Sequence, residues 1–228
     1  MKLEIKDVKF FVAILKSFNS KNKITFKFSN ETLEISAINN LRQYIILENI
    51  IFNYIDYRDI IFTIDHSLLL SYINHFKKNL CLYIDNNLNL TTKSENYSLF
   101  VKIPFIDLLD NEYKFVEDSK IKFILKPEQS KILAMFKGIV TYSLENMNLI
   151  IRREVEESNE RIVINDIEII ESNYLYFKCL NNWANIFEEL FGFIEGTLFS
   201  FNENILSIQF LFKKYENTYL EIQIPRSL

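Results

Sequence analysis

The sequence predicts an α+β protein built from two similar halves. Three observations carry this reading. Most segments read as strand, four short stretches take helical spacing, and both kinds of element recur in one order along the 228 residues. Composition agrees. With 49% apolar residues, 15% aromatics and 25% charged residues, the chain can fill a sizeable core. Its length suits one large domain or two of about 110 residues.

Taken in order, the first helix is expected over Val8–Phe18. Val8, Phe11, Leu15 and Phe18 fall on one side, and Lys9 and Lys16 on the other. A strand follows at Ile24–Phe28, closed by a turn at Ser29-Asn30-Glu31. The second helix is expected over His66–Lys78. Leu68, Leu69, Tyr72, Ile73 and Phe76 form its apolar side, opposite Ser67, Ser71, Asn74 and Lys78, with Lys77 beside them; Asp65 or Ser67 caps its start. It leads into a strand at Leu80–Ile84 and a turn at Asp85-Asn86-Asn87. The third helix runs over Pro127–Lys137, with proline in the first turn, where its missing N–H costs nothing. Lys131 and Lys137 stand opposite Ile132, Leu133 and Phe136, and a turn follows at Leu144-Glu145-Asn146. The fourth helix, Asn181–Phe193, shows Asn185, Glu188 and Glu189 on its polar face. A turn at Asn202-Glu203-Asn204 and a strand at Leu220–Ile224 complete the chain. Asparagine and aspartate tolerate positive φ, so they can make tight turns in a chain with only three glycines.

The order repeats. The segment from Leu80 to Leu90 parallels the one from Leu198 to Ile208, and both finish on L-x-[VI]-x-I-P, at Leu99–Pro104 and Leu220–Pro225. This reads as an internal duplication, with domains at 1–104 and 119–228. Between them, Phe105–Asp118 carries five acids against one lysine and an apolar thread of Ile106, Leu108, Leu109, Tyr113 and Phe115. It reads as a connector between the halves or, alternatively, as an ordinary edge loop. The first half is net +3 and the second net −3, within a chain of net charge −4. That balance alone marks neither a nucleic-acid coat nor a membrane-surface protein.

Several function classes are disfavoured. Gly138, Gly192 and Gly196 cannot supply G-x-G-x-x-G or a G-x-x-x-x-G-K-[ST] phosphate cradle. Cys81 and Cys179 read as two buried, reduced thiols of an intracellular protein, not as a disulfide or a zinc site. No secretory signal or membrane-length apolar run is seen. His66 and His75 lack the i, i+4 spacing of a zinc pair and read as surface residues. No G-x-S-x-G elbow is present, and Glu156-Glu157 and Glu188-Glu189 read as solvated pairs. The sequence therefore nominates no catalytic residue, no metal ligand and no cofactor. A β-rich ligand carrier or a hydrolase with a dispersed site stays open as a different class.

The helix lysines are the more suggestive set. Lys9, Lys16, Lys77, Lys78, Lys131 and Lys137 could follow phosphates by charge without reading bases, or could be ordinary solvation. Glu188 and Glu189 argue against a uniform basic lining.

This duplicated helix–hairpin plan resembles the sliding DNA clamp family, the fold of proliferating cell nuclear antigen (PCNA). Within it, the Hus-type subunit of the DNA-damage checkpoint clamp is most similar. The resemblance rests on the opening Met1-Lys2-Leu3-Glu4-Ile5, on Leu47–Tyr54 (LENIIFNY), on Phe100–Pro104 (FVKIP) and on Tyr219–Pro225 (YLEIQIP). It implies two similar domains, each with two helices packed on antiparallel β-sheets. It also implies a nuclear, non-enzymatic subunit that closes a ring around double-stranded DNA with two other clamp subunits or, alternatively, as a homotrimeric replicative clamp. An ATP-dependent loader would open the ring. The implied subunit edges are Tyr97–Ile103 (Tyr97, Leu99, Val101, Ile103) and Arg161–Ile169 (Arg161, Val163, Asn165, Ile167). Partner peptides would dock at Ile106, Leu108, Leu109 and Phe115.

Overall fold

The structure, a computed structural model, describes residues 1–18, 23–38, 41–76, 78–93, 97–108, 119–155, 158–173 and 176–227. The chain divides into two compact units: Met1–Asn39 with Gln43–Glu112, and Asn40–Arg42 with Tyr113–Leu228.

Unit 1 runs β1 (Lys2–Ile5), α1 (Val8–Ser17), β2 (Lys23–Ser29), β3 (Thr32–Ile38), β4 (Arg42–Leu47), β5 (Phe52–Asp56), β6 (Ile60–Asp65), α2 (His66–Ile73), β7 (Leu80–Ile84), β8 (Asn87–Lys93) and β9 (Ser98–Ile106). Its strands lie in the order β4-β3-β2-β6-β9-β8-β7-β1-β5. The β6–β9 ladder is short, pairing only Thr63 with Ile106 and Ile64 with Phe105. Alternation sets the core. Phe26 and Phe28 of β2 and Leu33 and Ile35 of β3 turn inward. Phe62 stacks on Phe26 at 5.3 Å and on Phe105 at 4.5 Å.

Unit 2 runs β10 (Ile121–Leu125), α3 (Pro127–Met135), β11 (Gly138–Glu145), β12 (Asn148–Val155), β13 (Ser158–Ile164), β14 (Glu168–Ser172), β15 (Tyr176–Asn181), α4 (Ala184–Leu190), β16 (Ile194–Phe201), β17 (Ile205–Phe212) and β18 (Tyr215–Pro225). It contains the ladders β14-β10-β16-β17-β18 and β13-β12-β11-β15. Its core gathers around Trp183, which meets Phe187, Phe199 and Phe210 at about 6 Å.

The two units repeat one plan, down to register. Ser29 pairs with Thr32 and Thr25 with Ser36; Glu145 pairs with Asn148 and Thr141 with Arg152, the same intervals around each turn. Asn30 and Glu31 hold φ of 50° and 60°, and Asn146 and Met147 hold 50° and 64°. Two successive positive φ values are the signature of the two-residue turns that match strand twist. At the other hairpin, Asn87 N–H donates to Asp85 Oδ1, and Ile205 N–H donates to Asn202 Oδ1. The proline that ends each half then pairs with the first residue past that turn, Pro104 with Asn87 and Pro225 with Ile205.

The helices are shorter than the sequence reading expects. Asp7 and Asp65 cap α1 and α2, accepting from Phe10 N–H at 3.1 Å and Leu68 N–H at 2.9 Å. Beyond Ile73 the chain tightens. His75 and Phe76 N–H donate to the carbonyls of Tyr72 and Ile73, three residues back, and this seats Phe76 in the core. The fourth helix starts at Ala184 rather than Asn181, whose side chain is used elsewhere. The faces also differ in detail. Tyr72 and Ile132, expected in the core, are exposed, because neighbours and not local spacing set the rotation of so short a helix.

Candidate nucleic-acid and subunit interfaces

In each unit, one side chain at the junction between a strand and the second helix grips the end of the first. In unit 1 this is His66. The sequence places it at the surface, yet it is fully buried, its Nε2 2.8 Å from the Leu15 carbonyl. In unit 2, Asn181 Nδ2 donates to the carbonyls of Leu133 (2.9 Å) and Phe136 (2.6 Å), and its Oδ1 accepts from Tyr142 Oη at 2.9 Å. These contacts cap carbonyls at the helix end, and the Leu133 carbonyl also accepts from Phe136 N–H at 3.0 Å. They fix which helix faces remain free.

Those free faces carry part of the expected lysine set. α1 buries seven of its ten residues and leaves exposed Lys9 and half-buried Lys16 on one strip, about 10 Å apart along the axis. Lys78 is exposed just beyond α2, whose own outer face is the neutral Ser67, Ser71 and Asn74. Lys77 lies outside the described residues. Lys131 is exposed on α3, and its ammonium stands 5.3 Å over the Phe191 ring. Exposed Ile132 and Met135 flank it. Lys137 is exposed past the helix end, and its carbonyl accepts from Arg153 Nη1 at 2.6 Å. The outer face of α4 is Asn185, Glu188 and Glu189. Positive charge therefore lies on α1 and α3 and beyond α2, and α4 carries the opposite sign.

Two of the strands with an open edge, β9 and β13, are those of the expected subunit contacts. From Ser98 to Pro104, β9 pairs with β8 along one side, while β6 reaches only Phe105 and Ile106 on the other. Tyr97, Phe100 and Lys102 face solvent and Leu99 is half-buried. Val101 and Ile103 point into the unit's own core, so only their backbone is available to a neighbour. The second open edge is β13, which pairs with β12 alone. It exposes Arg161 and Val163. The strand expected over Arg161–Ile169 is broken: β13 stops at Ile164, and Asp166 takes φ 56° in a turn before β14. Asn165 and Ile167 thus lie beyond the edge. The Lys126 ammonium holds Asp166 there at 2.6 Å and keeps its carboxyl below the usual range.

Of the docking residues expected on the connector, Ile106 is half-buried and Leu108 is exposed; Leu109 and Phe115 lie outside the described residues. The cysteines differ from one another. Cys179 is buried, and burial pushes its thiol up to about 12. Cys81, also expected in the core, is only partly buried, its Sγ 3.9 Å from Glu4 Oε1. Among the described residues no cluster of three or more His, Cys, Asp or Glu could hold a metal ion, and no helix is long and apolar enough to cross a membrane.

No protein-family model matches the chain, and no curated protein matches it in sequence. Solved structures do. Proliferating cellular nuclear antigen from Entamoeba histolytica superposes with a TM-score of 0.84 at 12% identity, covering 100% of this chain and 98% of that one. A chain of the PCNA2-PCNA3 complex from Sulfolobus tokodaii superposes at 0.84 and 14% identity, covering 99% of each. At such identities the likeness is one of fold, and the fold of this chain is that of PCNA: helices on antiparallel sheets, spanning its whole length.

Proposed function

We propose that the chain is a subunit of a ring-shaped DNA sliding clamp, and that it acts by enclosing double-stranded DNA rather than by catalysis. The observation that carries this reading is the whole-length PCNA fold, which covers 100% of this chain and 98% of the Entamoeba histolytica one. Such a ring retains DNA topologically, so scattered lysines such as Lys9, Lys16, Lys78, Lys131 and Lys137 suffice as weak, sequence-independent phosphate contacts. The open edges of β9 and β13 support assembly, since an unpaired strand edge bearing Phe100 or Val163 is a liability until a neighbour covers it. Ring opening falls to an ATP-dependent loader, and partner peptides dock on the connector at Ile106, Leu108, Leu109 and Phe115.

The finer reading is a nuclear checkpoint clamp of three unlike subunits that encircles DNA at damage sites and tethers repair and signalling proteins. The PCNA2-PCNA3 complex gives a precedent for unlike chains within this fold. Mass measurement by light scattering separates the options. Purified alone, the chain is expected to stay below the mass of a trimer and to reach ring size only with its native partners. A stable trimer of this chain alone would replace that reading with the homotrimeric replicative clamp. Val163→Lys, at an exposed edge position, is expected to weaken assembly at least about tenfold while leaving the fold intact.

A further inference from the structure

The outer face of the β15-β11-β12-β13 sheet carries a row of positive charge, of which the clamp reading uses only Arg161, on the β13 edge. Cross-strand pairing sets Lys178 opposite Thr141, Thr141 opposite Arg152, and Arg152 opposite Arg161. Residues paired in this way share one face, so three basic side chains line up across four strands over about 14 Å. This face is the solvent side, because the alternate residues Val140, Tyr142, Ile151, Phe177 and Cys179 are the buried ones.

Three further observations bear on what the row is for. Arg152 and Arg161 are like charges directly opposite each other, which destabilises a sheet unless an anion is shared between them. Glu145 binds Arg152 at 2.6 Å and its charge also reaches Arg161, so one carboxylate faces two guanidinium groups; neither Arg161 nor Lys178 makes a side-chain hydrogen bond among the described residues. Second, unit 1 holds the same sheet without the row. Its matching positions are Thr63, Thr25 and Ser36, where the two threonine hydroxyls bond each other at 2.9 Å, and the neighbouring Lys27 is paired with Glu34. Third, the row ends at an aromatic platform. Tyr176, two residues from Lys178 and on the same face, is 53% exposed, with the Arg226 guanidinium 5.2 Å from its ring. Tyr176, Lys178, Asn204 and Arg226 border an open cleft of about 590 Å³, together with Glu203, whose carboxylate is paired with the Lys120 ammonium.

We propose that this face binds a single strand of nucleic acid. Its phosphates would follow Lys178, Arg152 and Arg161, and a base would stack at Tyr176 and Arg226. A flat surface joining a basic track to an exposed ring is what sequence-tolerant single-strand binding needs. The direction of the row distinguishes the occupant. A peptide added to this sheet would run along the strands at an edge, whereas this charge runs across them. The chain's net charge of −4 opposes polyanions in general, so binding must be local to this face. The site belongs to unit 2 alone and is complete in the unassembled chain; in a ring, a neighbour on the β13 edge would border it at Arg161.

The test is fluorescence anisotropy of the intact chain with a labelled oligothymidylate of about 20 nucleotides at low salt. The double variant Arg161→Ala/Lys178→Ala is expected to lose affinity about tenfold, and its slope of log K against log salt to fall by about 1.4, two phosphate contacts' worth for a single strand. Arg161→Gln/Lys178→Gln, which keeps side-chain volume, should lose as much, and Lys27→Ala on the matching face of unit 1 should lose nothing. No binding by the intact chain, equal loss in Lys27→Ala, an unchanged double variant, or tighter binding of an oligoglutamate peptide than of the oligonucleotide would each overturn the proposal.

Discussion

Units 1 and 2 share strand order, hairpin register and turn conformation, yet they close the same joint with different chemistry. An imidazole holds the end of the first helix in one, and a carboxamide does so in the other. The inward positions differ as well. Where unit 2 buries Tyr142 and Cys179, the register of unit 1 places Phe26 and Ile64. The plan is thus set by where apolar residues and positive-φ turns fall, and the chemistry at each joint is free to vary. That difference makes the halves separable by experiment.

The largest effect should come from Asn181→Leu. It strips the Phe136 carbonyl and the Tyr142 hydroxyl of a buried partner and leaves the Leu133 carbonyl only its bond from Phe136 N–H, at a cost of about 3 kcal/mol. His66→Leu removes the matching tie in unit 1 and should cost about 2 kcal/mol. Denaturant unfolding checks both. Equal costs would mean that the joints are interchangeable and the comparison uninformative.

High pH should act on unit 2 through two buried groups and on unit 1 through half-buried Tyr54, whose hydroxyl burial also raises. Burial raises the Tyr142 hydroxyl well above its ordinary value and the Cys179 thiol to about 12. The unfolded chain releases these protons at lower pH than the folded one, so stability falls as pH climbs past the ordinary thiol and phenol range of about 9–10. Trp183 is the chain's single tryptophan and lies in this core, so its fluorescence reports unit 2. It should change as pH climbs past that range, and Cys179→Val should shift the change upward. The smallest effect is chemical. A thiol reagent at pH 8 should label Cys81 slowly and Cys179 not at all until the chain unfolds, and rapid labelling of both would contradict the packing around β15.

Much of this architecture could be read from the residues. Four amphipathic stretches gave four helices, and Asn30 and Asn146 marked hairpins because few other side chains tolerate the left-handed region. The repeated I-P ending held because each proline closes an equivalent register. What escaped was whatever depends on a distant neighbour. Nothing near His66 in sequence reveals that the Leu15 carbonyl waits for it, and the rotation that exposes Tyr72 and Ile132 is set by packing. The break after Ile164 has a local signal, since Asn165-Asp166 is a turn dipeptide. The basic row was also within reach. Counting outward from the Asn146 turn pairs Thr141 with Arg152, although Lys178 joins them only once β15 is known to lie alongside.

The central claim is enclosure of DNA, and the most direct measurement is retention as a function of DNA topology. The native assembly, recovered through a tag on this chain while bound to closed circular plasmid, should stay with the circle through a salt wash that breaks lysine–phosphate contacts. A single restriction cut should then release it from the linear ends. Retention that survives linearisation, or that is lost in salt while the circle is intact, would contradict a clamp.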